Sequence, residues 1–294
     1  MSNVKNQGAK MSSDEVIFND WHPVAALDDV ALEKRYRCRL LGRTVSYVKS
    51  VEGVNALWEQ SAESVSRIHA REIYGVLWLS FAEQPTEMFD IPEFNEADRR
   101  IVSAGSVRVN VSGLRAIENF LDMAHFPFVH TDILGAEPLT EVEPYKVHHD
   151  EEKDEIFATE CRFPQPKGSA TAVEPIDMQY IYRVTRPYSA ILYKTCPPQP
   201  DRWDALGLFI QPVDEDWCIA HTIMCYVDEV NSDQQLRHFQ QTIFGQDLMI
   251  LINQVPKRLP LAASRESPVR ADVLATAYRR WMREKGVQYG TLRD

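Results

Sequence analysis

Apolar and polar positions along the chain fall into two strand-rich stretches and two helix-spaced ones. Thr44–Val48 and Tyr74–Phe81 are rich in β-branched and aromatic residues, which predicts strands. Between them Lys49 to Ile73 is polar and reads as partly helical, and Gln84 to Asp98, with its prolines and acids, reads as a linker. A second unit is expected from about Arg99. In it Ser106–Ser112 alternates as a strand and Gly113 separates that strand from a helical pattern. Ile117, Leu121, Ala124 and Phe128 predict a helix from Leu114 to about Phe126, and Pro127 should kink or stop it. Further strands are expected at Ile156–Phe163, Met178–Arg186, Ala190–Cys196, Ala205–Val213 and Trp217–Val227, the last two joined as a hairpin by Asp214-Glu215-Asp216. Ser232-Asp233 opens a long helix to about Gln254. The order implies an α+β chain: a β-rich part over residues 1–98, then a domain over 99–294 with an antiparallel sheet and helices on one face.

Composition narrows the function classes. With 294 residues and 44% apolar content the chain can bury one large or two small cores, and no run reaches the roughly 18 apolar residues of a membrane span. The net charge of −11 is spread without Lys/Arg clusters, which argues against nucleic acid or an anionic membrane as partner. The first dozen residues are polar and lack a signal-peptide core, and Met11 is a candidate alternative start. Cys38, Cys161, Cys196, Cys218 and Cys225 are scattered, with no C-x-x-C, so reduced thiols in a cytoplasmic protein are expected.

The candidate chemistry lies in Glu118–His130. Asp122 and His125, three apart, share a helix face; His130, five further on, would turn about 140° away on an unbroken helix, and a kink at Pro127 would return it. On the long helix, Leu236, Phe239, Ile243, Ile250 and Gln254 mark one face, and Asp247 falls on it. A carboxylate on an apolar stripe calls for a cation or a strong donor. His125, His130 and Asp247 are therefore expected to form a facial triad for Fe(II), leaving positions for dioxygen and water. A single helical histidine is usually a core or surface residue; it is the joint pattern that carries the metal reading. His148-His149-Asp150 contains H-x-D but is followed by Glu151, Glu152, Lys153 and Asp154, which reads as a solvated acidic loop. Gln240, two turns before Asp247, could aim its amide into a cavity above the metal, an exposed or helix-pairing glutamine being the competing reading. Phe126, Phe239 and Phe244 could wall in a flat ring or simply be core, and Asn119 is expected to orient the site through hydrogen bonds.

The pattern E-N-x-x-D-x-x-H-x-x-x-x-H, here Glu118, Asn119, Asp122, His125 and His130, resembles that of the catalytic subunits of Rieske non-haem iron oxygenases. The F-x-x-D of Phe244–Asp247 resembles the segment that carries their carboxylate ligand. Trp21–Val24 and Arg71–Trp78 resemble the two ends of their N-terminal Rieske domain. The resemblance implies a helix-grip (START/Bet v 1-like) catalytic domain behind a truncated Rieske-like β domain. It also implies a bridging role for Asp122, between an iron-bound histidine and the Rieske cluster of another chain. The departure is large: a Rieske cluster needs C-x-H and C-x-x-H pairs. Between Lys49 and Ile73 there is no cysteine, and His69 is the only histidine. Cys218 and His221 make one C-x-x-H, on a predicted strand of the other domain and without a C-x-H partner, and Cys38 and His22 cannot replace the missing pairs.

The chain is thus similar to an oxygenase without its own [2Fe-2S] cluster, as found among the bacterial methylxanthine N-demethylases. That resemblance implies oxidative removal of the N7-methyl of 7-methylxanthine as formaldehyde, giving xanthine, with O2 and with electrons from NAD(P)H and flavin. These would arrive through a Rieske-bearing reductase, with a glutathione-transferase-like accessory protein in the same homo- or hetero-oligomeric assembly. The competing class is a non-catalytic helix-grip ligand-binding or scaffold subunit.

Overall fold

The computed structural model describes residues 14–61, 63–167, 174–197, 199–262 and 264–293, so the opening residues and Met11 lie outside the described residues. A short helix α1 (Glu15–Phe18) leads into β1 (His22–Ala26), β2 (Arg35–Leu40), β3 (Arg43–Ser50), β4 (Gly53–Glu59), β5 (Val65–Ile73) and β6 (Val76–Ser80). These strands make one antiparallel sheet in the order β1-β6-β5-β4-β3-β2. The segment read as partly helical is therefore the hairpin β4–β5. Its strands bury only Ala56 and Ile68, so the alternation that signals a half-buried strand is missing from the sequence.

Tyr74, expected inside a strand, instead shares the β5–β6 turn with Gly75, both at positive φ (56° and 71°). A two-residue turn of this hand matches the twist of its flanking strands. Tyr74 is held in this unfavourable conformation by its hydroxyl, which donates to the Phe89 carbonyl at 2.6 Å and accepts from the Ile91 amide at 3.1 Å. The stretch read as a linker is thus a packed strap, with Phe89 and Ile91 buried in a second core with Trp21, Trp78, Phe209 and Ile223.

The second sheet has seven antiparallel strands: β7 (Arg100–Val109), β8 (Lys146–Asp150), β9 (Glu155–Gln165), β10 (Ile176–Arg186), β11 (Ser189–Thr195), β12 (Trp203–Pro212) and β13 (Cys218–Tyr226). Their order is β7-β13-β12-β11-β10-β9-β8, so the earliest strand closes onto the last. β7 begins six residues before the alternation that announced it, and His148-His149-Asp150 lie on the edge strand β8 rather than in a loop. β12 and β13 form the expected hairpin.

Helices pack against this sheet. α2 (Gly113–Phe120) starts at Ser112, whose hydroxyl accepts from the Leu114 amide. A Cβ on Gly113 would lie 2.7 Å from Ile210 and 2.8 Å from Tyr188, which is why a glycine opens this helix. A one-turn helix α3 (Phe126–Val129) follows, then α4 (Asp233–Leu251), whose capping box is Ser232 with Gln235. α4 is pinned beside β7 by Arg237 and Gln241, which donate to the carbonyls of Ser103 (2.9 Å) and Ala104 (2.8 Å). Its buried stripe is Leu236, Gln240, Ile243, Phe244 and Leu251. The expected Ile250 is exposed and Gln254 lies beyond the helix end, a drift of about one position from the stripe read in sequence. α5 (Val273–Glu284), not foreseen, buries Leu274, Tyr278, Trp281 and Met282, a helical spacing that was legible.

An ion network ties α2 to α5. Arg115, 2% exposed, donates to Glu118 at 2.8 Å and to Glu266 at 2.5 Å, and Arg279 binds the same two carboxylates. Glu118→Ala leaves a buried guanidinium with only part of its partners, and should lower stability by roughly 3 kcal/mol. Urea denaturation would show this as a lower midpoint with an unchanged slope.

Candidate metal centre and its cavity

The local fold from Phe120 to His130 differs from the kinked helix expected. α2 stops at Phe120, because Asp122 Oδ1 accepts the Ala124 amide at 2.8 Å and so draws the backbone out of the helix. Pro127 does not break the helix; it sits in the first turn of α3, where a missing N–H costs nothing. Phe128, expected on the apolar face, is exposed. His125 and His130 now flank one turn. The Val129 amide donates to the His125 carbonyl at 2.8 Å and the His130 amide to that of Phe126 at 3.0 Å.

The turn brings the two imidazoles together against α4. His125 Nε2 and His130 Nε2 are 3.1 Å apart and lie 3.3 and 3.2 Å from Asp247 Oδ1. Three donors on adjacent corners of an octahedron with bonds of about 2.1 Å are about 3.0 Å apart, so this spacing suits one small divalent ion with a vacant face. Among the described residues no other group of three or more His, Cys, Asp or Glu side chains is arranged to hold a metal.

Each triad member is oriented from behind. His125 Nδ1 faces Asp122 Oδ2 at 3.0 Å, His130 Nδ1 faces Gln246 Oε1 at 2.8 Å, and Asn119 Nδ2 donates to Asp247 Oδ1 at 2.9 Å. With both Nδ1 atoms given acceptors, both Nε2 atoms are directed at the shared point. Gln246 escaped the sequence reading, since a glutamine on a helix ordinarily faces water. Burial opposes the charged form of His125, yet hydrogen bonds to Asp122 and Asp247 outweigh it and push the imidazole up to about 9. Burial likewise opposes charge on Asp247, and the two histidines hold its carboxyl well below the usual range.

One face of the triad opens into a cavity between α4 and the sheet. Phe126, Phe239, Phe244 and Gln240, the four residues proposed from sequence, all line it, with Leu206, Leu208, Thr222 and Tyr182. Gln240 is buried, and its amide has no hydrogen-bond partner among the described residues; the buried Tyr182 hydroxyl is likewise unpaired. Unpaired buried polar groups in an apolar cavity are where a polar ligand gains orientation. Cys218 and His221 lie apart on β13. There the Ser106 hydroxyl faces His221 Nδ1 at 2.8 Å and burial pushes the ring down to about 4, so His221 is a core histidine satisfied within the protein.

Comparison with known proteins agrees with this geometry. The family profile described as Vanillate O-demethylase oxygenase C-terminal domain matches residues 109–287. A protein of Pseudomonas sp. strain TJI-51 named "Probable methylxanthine N7-demethylase NdmC" is 58% identical over 94% of this chain and 97% of its own length. The chain belongs to the Rieske oxygenase family. In fold, it is similar to Pseudomonas putida NdmA with caffeine (TM-score 0.78, 19% identity, 92% of each chain). It is also similar to dicamba monooxygenase bound to its 3,6-dichlorosalicylic acid ligand (TM-score 0.73, 14% identity, 92% of this chain and 97% of that one). The chain is an oxidoreductase by descent, and no described helix is long and apolar enough to cross a membrane.

On its other side, this Rieske oxygenase domain presents His125 to a surface groove. Asp122, Asn119 and His125 line that groove with Arg115, Glu118, Ile250 and Arg279. His125 therefore touches the cavity through Nε2 and, through Asp122, the groove.

The metal-free His125 is protonated at neutral pH and must lose that proton for Nε2 to become a ligand. Loading Fe(II) at pH 7 should therefore release about one proton, falling toward none above about pH 9. Anaerobic calorimetry in two buffers of different ionisation enthalpy measures this, and no release at pH 7 would contradict the coupling. The sign for stability follows: His125 stabilises the metal-free fold fully below pH 6.5, and that contribution is lost as pH rises through about 9. Gln246→Leu removes the acceptor behind His130 and should weaken iron affinity about 10- to 100-fold while leaving the far-ultraviolet dichroism unchanged.

Proposed function

We propose that this oxygenase removes the N7-methyl group of 7-methylxanthine, leaving xanthine and formaldehyde, with Fe(II) held by His125, His130 and Asp247. The reading is supported by the relative at 58% identity and by the donor set itself, two imidazoles and one carboxylate with room for further ligands. The bound iron would supply the activation of dioxygen. In balance, the N-methyl group, O2, two electrons and two protons give the N-hydroxymethyl purine and water, and cleavage of its N–C bond releases formaldehyde.

The protein's own part is positional. Phe239, Phe244 and Phe126 offer faces and edges to a flat bicycle, while the free Gln240 amide offers both a donor and an acceptor to its polar rim. Phe126 also packs edge-on against His125, at 5.2 Å between ring centres, so the wall of the cavity and the metal site are mutually fixed.

The observation that carries the reading is the single imidazole shared by two compartments. Asp122 is partly exposed in the groove and hydrogen-bonded to His125 Nδ1, a short bonded route for an electron arriving from outside. We infer that a reductase bearing a Rieske centre, fed by NAD(P)H through flavin, docks over this groove. The exposed Met249, Ile250, Ile252 and Val255 at the end of α4 and the nearby arginines of α5 suit a partner with a mixed apolar and acidic face.

We also take residues 1–98 as a Rieske-type domain without a cluster of its own. Burial pushes the Cys38 thiol up to about 12, away from the thiolate a cluster needs, and His22 Nε2 is spent on the Ile17 carbonyl at 2.7 Å. A glutathione-transferase-like accessory protein and a cytoplasmic setting complete the proposal.

Asp122→Asn tests it. With a Rieske-bearing reductase and 7-methylxanthine, formaldehyde release should fall about 100-fold while iron content stays at the parent level. Turnover within twofold of the parent would sink the route through Asp122, and turnover with a Rieske-free reductase would sink the choice of partner.

A further inference from the structure

Two lysines line the cavity apart from the triad, the exposed Lys167 and the half-buried Lys194, and the iron chemistry requires neither. Lys194 projects from β11 on the same face as Leu192, and its ammonium lies 4.7 Å from the centre of the Tyr226 ring. Among the described residues it forms no ion pair. Asp204 faces it across β11–β12, Asp228 lies beyond the end of β13, Cys196 follows on its own strand, and Tyr180 is opposite on β10. Burial drives the ammonium toward its neutral form and the nearby carboxylates resist this.

The register sets Lys194 beside Tyr180, on the far side of Phe126 from the metal site. The Phe126 ring is 5.2 Å from that of His125 and 6.3 Å from that of Tyr180, and Tyr180 pairs with Lys194 in the sheet. Phe126 and Tyr180 thus stand between the triad and Lys194 along the wall of the same cavity. If the N7-methyl is directed at the triad, the opposite edge of the bicycle carries the C2 carbonyl and N3–H. That N–H is a weak acid conjugated with the ring carbonyls.

We propose that Lys194 is the specificity-determining residue for this edge, donating to the C2 carbonyl and pairing with the ring anion when N3 has lost its proton. A buried ammonium without an ion pair prefers a ligand that brings negative charge over one whose N3 is methylated and cannot ionise. The inference rests on the N7-demethylation reading and deepens it.

Equilibrium binding of 7-methylxanthine and 3,7-dimethylxanthine to the iron-loaded full chain, by anaerobic calorimetry, tests it. Lys194→Gln should weaken 7-methylxanthine about 10- to 100-fold and 3,7-dimethylxanthine by no more than about threefold, whereas Lys194→Arg keeps most of the preference. Because removing the ammonium leaves Asp204 facing an uncharged amide, Lys194→Gln with Asp204→Asn supplies a second, better balanced variant with the same expected loss. Equal weakening of both ligands, or no change for either, would overturn the assignment. A parent chain that binds neither purine would instead overturn the methylxanthine reading.

Discussion

Asp247 holds a negative charge on a helix between the buried Ile243 and Phe244 on one side and Leu251 on the other. A carboxylate in that position is stable only if donors are aimed at it, and His125 and Asn119 are, with His130 Nε2 also 3.2 Å away. Each donor sits on the polypeptide between the start of α2 and the end of α3, so the electrostatic need of one residue on α4 dictates how a distant segment must fold. The break after Phe120, the single turn of α3 and the return of His130 all serve that convergence. The same carboxylate that demands donors in the metal-free protein supplies, with the two imidazoles, the donor set for a divalent ion.

The scaffold transmits this demand rigidly. α4 is tied to β7 by Arg237 and Gln241, α2 is closed onto the sheet where Gly113 meets Ile210 and Tyr188, and the Arg115–Glu118–Arg279–Glu266 network locks α2 to α5. Glu118, which the motif carries beside Asn119, thereby belongs to the frame. It holds the helix from which Asn119 reaches Asp247. Metal sites need such support because a ligand displaced by even a fraction of an ångström loses its place in the coordination polyhedron.

One imidazole stands between two compartments. One face of the triad opens into a mainly apolar cavity, where the buried Tyr182 hydroxyl has no hydrogen-bond partner. The groove on the far side carries many charged side chains, and Asn119, Asp122 and His125 link it to the centre.

The sequence by itself named the residues proposed for the site. Asp122, His125 and His130 stand together in the chain, Asp247 lies on a legible apolar stripe, and Phe126, Phe239, Phe244 and Gln240 follow at helical spacing. It also determined most strands of the larger sheet, because their burial on one or both faces writes a strong apolar pattern. What it did not contain was geometry set by contacts distant along the chain. The β4–β5 hairpin is exposed and writes almost no pattern, and the strap at Phe89–Ile91 looks like a linker until Trp78 and Phe209 receive it. Helix α2 ends where it does because Asp122 turns back on its own backbone. Only the tertiary structure could pair His130 with Gln246, or set Lys194 facing a cavity that also contains the triad. Local patterning encodes which residues are buried, but which buried groups meet is decided by the register of strands and helices far apart in the chain.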